Sequence, residues 1–349
     1  MQQRTFSRRA LLLSALVAFP ACRRTGLREE VLRALVEQVL VANTAAVAQS
    51  SGQLEDAIAR LTDAPAISAL HVVRDQWQRA LLGWKRAEVF RFGPIAENNA
   101  ALRTLFWPVR TAALEELLQG SAAIDEASIE AMGVDRRGLF ALEYLLYSAE
   151  TDERVVAAFA AGTRRAALAR ALAGNVALHA QRAAGSLGNG KKRGEELARG
   201  GQESVGRVVL SLIDRVENVS AGRLARVSEL AKSGRLVAAE LEGGRSGTSQ
   251  QIALTYLRAT EQLYLGVDRG LATLVAARSS TVDQSLRKAF REAIAAVETV
   301  NLPLETAVVA EAAKLDSATS VVKKLERVLK TELSSTLGLA LTLSSLDDD

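Results

Sequence analysis

Alanine and leucine dominate this sequence while proline is nearly absent, and this combination constrains the fold more than any other feature. The 349 residues include 61 alanines and 51 leucines but only 5 prolines. Ala and Leu lose little conformational entropy in a helix, whereas strands favour β-branched and aromatic side chains. Aromatic residues make up only 4% of the chain. The composition therefore predicts an all-α fold and disfavours β-sandwiches and β-barrels.

Apolar residues recur at helical spacing on both sides of an interval that is rich in glycine and basic residues. The apolar positions from Leu70 to Trp84 step by three or four residues, which is typical of one face of a helix. Residues 186–194 combine glycines with Lys and Arg, and this composition favours a linker or an exposed loop. We therefore predict two side-by-side helical bundles, over residues 23–185 and 195–349. A pseudo-duplication stays open.

Residues 1–22 have the pattern of an export signal. A basic segment that ends in Arg8 and Arg9 precedes the apolar run Ala10 to Phe19, which is too short to span a bilayer. The arginine pair fits a twin-arginine signal, and a Sec signal is equally compatible. Cys22, the only cysteine, resembles the acylated residue of a bacterial lipoprotein box; simple cleavage near Ala21 is the alternative. We predict a periplasmic protein with a lipid anchor at Cys22 that attaches it to a bacterial membrane.

Charge is almost balanced once the leader is set aside. The full sequence has 44 Lys and Arg residues against 40 Asp and Glu residues. Three of the arginines, Arg4, Arg8 and Arg9, belong to the leader. Nucleic-acid binding requires a concentrated basic patch, so we predict no nucleic-acid partner.

Few residues suit metal-dependent or nucleophilic catalysis. His71 and His179 are the only histidines, and neither belongs to a His-Glu-x-x-His helix. His71 shares a helical face with charged residues, which predicts a solvated side chain. His179 continues an apolar stripe, which predicts a satisfied histidine in the core or at an interface. Because the only cysteine lies in the leader, no Cys–His pair is available, and we assign no catalytic residue.

Several stretches of the sequence together resemble the imelysin family. They are Trp84 to Gly93, Phe106-Trp107-Pro108, Gly138 to Leu146, Arg245 to Ser249, Tyr264 to Gly266, and the ending from Leu337. The resemblance covers essentially the whole mature chain. It implies an exported, often lipidated, two-bundle helical protein associated with bacterial iron uptake. Some members of the family are classed as metallopeptidases.

The stretch that begins at Gly138 departs from the family pattern at its central position. The family hallmark is Gly-x-His-x-x-Glu, and this sequence keeps Gly138 and Glu143 but has Phe140 in place of the histidine. A benzyl ring can neither ligate a metal nor transfer a proton. Metal ligands are then Glu143 and Glu88 at most. Iron or another divalent cation stays open as a cofactor, without support from histidine ligands.

Two helical faces define a candidate binding site. Phe140 and Glu143 share one face, and Glu88 and Arg91 share a face of an earlier helix. If these faces meet, they form either a site for a hard cation or polar ligand or a buried Glu–Arg network. We expect Glu143 to be buried and paired with an arginine, Arg86 or Arg91, near the junction of the two halves. The candidate binding residues are Trp84, Arg86, Glu88, Arg91, Trp107, Gly138, Phe140, Glu143, Ser246 and Ser249.

Two functions of different classes fit these observations. The first is a non-enzymatic exported protein that binds a ligand, or a periplasmic partner protein, in iron or metal acquisition. The second is a metal-dependent peptidase of the imelysin type. A peptidase needs a metal, an activated water and a general base, and this histidine-poor sequence supplies at most carboxylates. We therefore favour the binding function and leave enzymatic activity undecided.

Overall fold

The fold is all-α, as the composition predicts. The computed structural model describes residues 21–90, 92–97, 99–148, 151–159 and 163–340. Most of the described residues lie in helices, and no strand occurs within the described ranges. The α-helices are α1 (Ala21–Ala34), α2 (Val41–Asp63), α3 (Ile67–Ala87), α4 (Pro94–Glu97), α5 (Ala100–Leu105), α6 (Thr111–Gln119), α7 (Glu126–Ala131), α8 (Leu139–Leu146), α9 (Asp152–Ala158), α10 (Arg164–Leu187), α11 (Lys191–Arg199), α12 (Gly201–Val219), α13 (Arg226–Lys232), α14 (Ser249–Leu265), α15 (Leu271–Ala276), α16 (Ser280–Glu298), α17 (Leu304–Ala310), α18 (Ala312–Val328) and α19 (Ser334–Leu337).

Three π-helical segments connect α-helices without a break. Leu35–Leu40 joins α1 to α2, Ser220–Ala225 joins α12 to α13, and Leu329–Leu333 joins α18 to α19. Short 3₁₀ turns occur at Val134–Arg136 and Ala238–Glu240. A π turn shifts the direction of the side chains that follow it and is frequent at functional sites. The second π segment carries one residue of the site described below.

The helices pack in two groups that follow the order of the chain. In the first group α2 packs on α3 and α10, and in the second α12, α14, α16 and α18 pack on one another, while α3 contacts α14 between the groups. The stripe from Leu70 to Trp84 is fully buried, which confirms its predicted periodicity. Each large apolar side chain buried in this way stabilises the fold by about 1.5–3 kcal/mol. The division into two separate bundles stays a prediction.

The interval 186–194, predicted as a linker or loop, is mostly helical. Helix α10 ends at Leu187 and α11 begins at Lys191, so only residues 188–190 lie outside helices. Gly190 has a φ of 75°, and a side chain at this position would overlap Val41. Helix α11 then packs on α1. The glycines are therefore needed for a tight turn between two packed helices.

The helix over Gly26–Asp63 is long and apolar enough to cross a membrane by length and composition alone. Half of its most apolar window is buried inside the protein, as in an ordinary core helix, so this is weak evidence for a membrane span. Residues 1–20 of the predicted leader, which extends to Cys22, lie outside the described residues, as does the side chain of Cys22.

Candidate functional site

Glu143 lies on α8 and is 2% exposed. Its Oε1 accepts a hydrogen bond from the backbone N–H of Ser246 at 3.0 Å and another from the Ser246 hydroxyl at 2.6 Å. The hydroxyl of Ser246 also lies 2.8 Å from Oγ1 of Thr248. The expected burial of Glu143 is confirmed, and its hydrogen-bond partner is a serine.

The predicted pair between Glu143 and an arginine does not occur among the described residues. Arg86 is exposed to solvent and forms no such pair, while Arg91 lies outside the described residues. Burial raises the pKa of Glu143 to about 7. The hydrogen bonds from Ser246 and the charge of Arg245 lower this pKa only in part, and the nearby Glu242 raises it further.

Lys85 is the basic side chain that α3 directs inward, and it is 2% exposed. Its Nζ lies 3.2 Å from Oε2 of Glu88 and 2.5 Å from Oε1 of Glu242. The ring centroids of Phe140 and Tyr256 are 5.5 Å and 5.6 Å from the same Nζ, within cation–π range. Burial lowers the pKa of Lys85, but the two carboxylates outweigh it and raise the pKa above its usual value.

Glu88 joins Lys85 to two residues from the second group of helices. Nη1 of Arg215 lies 3.3 Å from its Oε1, and the hydroxyl of Tyr256 donates to its Oε2 at 2.6 Å. Burial raises the pKa of Glu88, but Lys85 and Arg215 outweigh this effect and lower the pKa to about 2. Glu88 is therefore a stable anion, in contrast to Glu143.

Arg223 completes a set that we call the buried charge cluster. It lies on the π segment Ser220–Ala225, forms an ion pair with Glu242, and stacks 4.9 Å from the ring centroid of Tyr256. Its Nε has no hydrogen-bond partner among the described residues. The cluster consists of Lys85, Glu88, Arg215, Arg223, Glu242 and Tyr256. Its three cations share two carboxylates, with Asp214 as a further, less buried partner of Arg215.

A cavity of about 290 Å³ opens beside this cluster. Arg223 and Glu242 belong to both, so the cluster forms one wall of the cavity. Trp107 comes from the first group of helices, and the other lining residues come from the second. We call this space the junction cavity; its lining residues are Trp107, Gly222, Arg223, Arg226, Leu241, Glu242, Ser249 and Leu304. A small, partly apolar space with a few charged groups is typical of ligand sites.

Two further candidate residues, Ser249 and Trp84, have partners that define their roles. The hydroxyl of Ser249 donates to Oε2 of Glu305 at 2.6 Å and accepts from the backbone N–H of Leu304 at 2.9 Å. This fixes the wall of the junction cavity. Trp84 is fully buried, and its Nε1 donates to Oγ of Ser51 at 3.0 Å. Trp84 therefore joins α3 to α2 in the core, and it does not line the junction cavity.

Gly138 has a backbone role at the start of α8. Its φ is 81°, a conformation that favours glycine, and a side chain here would overlap the backbone carbonyl of Thr104. The glycine lets the chain pass close to α5 and turn into the helix that carries Phe140 and Glu143. Its contribution to the site is therefore indirect.

Five cluster residues were not predicted from the sequence: Lys85, Arg215, Arg223, Glu242 and Tyr256. Lys85 could have been found, because it follows the buried Leu81 by four residues and therefore lies on the same helical face. The other four come from distant parts of the chain and carry no local signal.

The donor set does not fit a catalytic metal. The described residues contain no group of three or more His, Cys, Asp or Glu side chains that could hold a metal ion. Phe140 supplies no ligand, and Glu88 and Glu242 already bind the ammonium group of Lys85. A divalent cation at these carboxylates would lie beside three protein cations, and like charges in a buried site repel.

Comparison with known protein families gives a clear result. The family model described as Imelysin matches residues 40–331, which is most of the chain. This chain belongs to the imelysin family. The resemblance found in the sequence is thereby confirmed.

Three known proteins show how far the similarity extends. Iron-regulated protein A from Synechococcus elongatus is 30% identical over 135 residues, a match that covers 38% of this chain and 35% of that protein. The match therefore spans about a third of that relative's length. An imelysin-like protein from Psychrobacter arcticum has a TM-score of 0.75 at 18% identity, over 91% of this chain and 98% of that one. An iron-regulated protein A precursor from Parabacteroides distasonis has a TM-score of 0.72 at 13% identity, over 90% and 95%. At these identities the two structures show the fold alone.

Proposed function

We propose that this imelysin-family protein is an exported, non-enzymatic component of bacterial iron acquisition, and that it binds a ligand or partner protein at the junction cavity. The observation that carries this proposal is the position of Lys85. Its ammonium group binds Glu88, one of the two carboxylates that the sequence leaves as possible metal ligands, and also binds Glu242. Phe140, at the hallmark position, packs beside it and supplies no replacement ligand.

The junction cavity supports a binding role. Trp107 offers an aromatic surface, while Arg223 and Glu242 present opposite charges on one wall. The link to iron rests on the family and on a relative whose name is iron-regulated protein A.

Growth of a deletion strain on iron-depleted medium tests this function. Wild type should restore growth and Trp107→Ala should not, because the substitution removes the aromatic wall of the junction cavity. Arg170→Gln, on an exposed surface of α10, is the matched control and should restore growth fully. Both variants are first checked for an unchanged melting temperature. Full complementation by a stably folded Trp107→Ala protein would contradict a role for this cavity.

Export and anchoring are part of the same proposal and rest on the sequence of the leader. Labelled palmitate should enter the wild-type protein in cells and should not enter Cys22→Ala. Equal labelling of the two proteins, or a native protein that needs no detergent to leave the membrane fraction, would contradict lipid anchoring.

A further inference from the structure

A second polar cavity lies among the N-terminal helices and shares no lining residue with the junction cavity. Its volume is about 380 Å³, and it lies between α5, α7 and α10. The lining residues are Ala100, Arg103, Glu130, His179, Arg182, Ala183 and Ser186. Three of these seven side chains are bases and one is an acid.

Glu130 organises this cavity, because four neighbouring side chains contact its carboxylate. Asn175 Nδ2 lies 2.8 Å away, His179 Nε2 3.0 Å, Arg103 Nη1 3.1 Å and Arg137 Nη1 3.4 Å. Burial raises the pKa of Glu130, but the hydrogen bonds from Asn175 and His179 and the charge of Arg137 outweigh it, so the pKa is lowered. Glu130 is therefore an anion, and its carboxylate is already bound by these four side chains.

The arginines at this cavity carry more positive charge than the single carboxylate of Glu130 can neutralise. Arg103 and Arg137 both pair with Glu130, while Arg182 lines the cavity and has no ion pair or hydrogen bond with any residue in the described ranges. Arg137 is 3% exposed, and its Nε has no hydrogen-bond partner among the described residues. Burial lowers the pKa of Arg137, and the charge of Arg103 lowers it further. These guanidinium groups therefore lack a second anion.

We propose that this cavity binds a phosphate-type oxyanion, with Arg103 and Arg182 as its charged ligands. A planar guanidinium group can donate two parallel N–H bonds to two oxygens of a phosphate group, whereas chloride is a single atom and offers no such pair of acceptors. Glu130 holds Arg103 and Arg137 in place, so the anion completes a site that is already organised. The bound group is inorganic phosphate or the phosphoryl group of a small metabolite. This inference is independent of the function proposed for the junction cavity.

Histidine NMR offers a direct test, because the chain has only two histidines. His179 lines the cavity, whereas the side chain of His71 is 58% exposed and contacts Asp152, so His71 is an internal control. The mature protein is titrated with inorganic phosphate at constant pH, against sodium chloride at equal ionic strength. We expect saturable shifts of the His179 imidazole signals with phosphate, no saturable shift with chloride, and no change at His71.

Variants and a second probe complete the experiment. Arg182→Gln should weaken phosphate binding by about tenfold or more, since a charge-assisted contact is lost, and Arg170→Gln on the same helix should not change it. Arg182 is exposed, so its replacement leaves the fold intact. Tighter binding of glycerol 3-phosphate than of phosphate identifies a phosphorylated metabolite, and the reverse order identifies the free ion. No saturable shift with either probe, or equal affinity in Arg182→Gln and wild type, would overturn the proposal.

Discussion

Ser246 donates both its backbone N–H and its hydroxyl to the same oxygen, Oε1, of Glu143. These hydrogen bonds connect α8 to the turn before α14 across 103 positions of sequence. Neutral donors stabilise a buried carboxylate less than an ion pair does, so burial keeps the pKa of Glu143 near 7. Glu143 therefore changes charge close to neutral pH, near the buried charge cluster, whose two carboxylates, Glu88 and Glu242, have lowered pKa values and stay ionised.

Glu143→Gln should flatten the dependence of stability on pH. The folded pKa of about 7 lies above the usual 4.5, so between these values the native state holds a proton that the unfolded state has lost. Stability from this group is therefore present below pH 4.5 and is lost as the pH rises through 7, with a loss on the order of 3 kcal/mol at most. Urea unfolding of wild type and Glu143→Gln at several pH values measures this. Parallel curves for the two proteins would show that Glu143 does not titrate in this window.

Lys85→Met should strongly destabilise the fold, whereas Arg86→Met, one residue further along α3, should not. Without the buried ammonium group, less positive charge remains near the buried carboxylates Glu88 and Glu242 to balance their negative charge. Breaking a buried ion pair costs about 3–5 kcal/mol. Arg86 is exposed, and exposed substitutions change stability by about 0.5 kcal/mol or less. Chemical denaturation of both variants provides the comparison. Similar free energies of unfolding for the two would contradict the burial of Lys85.

Gly138→Ala should destabilise the protein, and Gly185→Ala is its control. The φ of 81° at Gly138 costs about 1–3 kcal/mol for a residue with a side chain, and the overlap with Thr104 adds to this cost. Gly185 lies in α10 with open space around it, so alanine there should stabilise the helix by about 0.5–1 kcal/mol. Opposite shifts in melting temperature are expected. A Gly138→Ala protein as stable as wild type would contradict the close approach of α8 to Thr104.

Local periodicity explains what the sequence could predict. The all-α class and the buried face of α3 follow from composition and from spacing between Leu70 and Trp84. The burial of Glu143 follows from its aromatic neighbours on α8. In each case the information lies within one helix, where positions three and four apart share a face.

Long-range packing explains what the sequence could not predict. Arg223 reaches Glu242 because a π segment redirects α12 into α13, and no local pattern marks that turn. The glycines of 186–194 indicate flexibility by composition, but one of them fits against Val41 in a tight turn.

The central claim is that this protein has no site for a catalytic metal. Metal binding by the purified mature protein tests this claim most directly. Titration calorimetry with Fe²⁺ and with Zn²⁺ should show no stoichiometric binding, because Glu88 and Glu242 already form ion pairs with Lys85 and Phe140 offers no ligand. Phe140→His alone should not create a tight site, since Lys85 and its neighbouring arginines still repel a cation. Stoichiometric binding of either metal to wild type, lost in Glu143→Gln, would contradict the account and favour the metallopeptidase function.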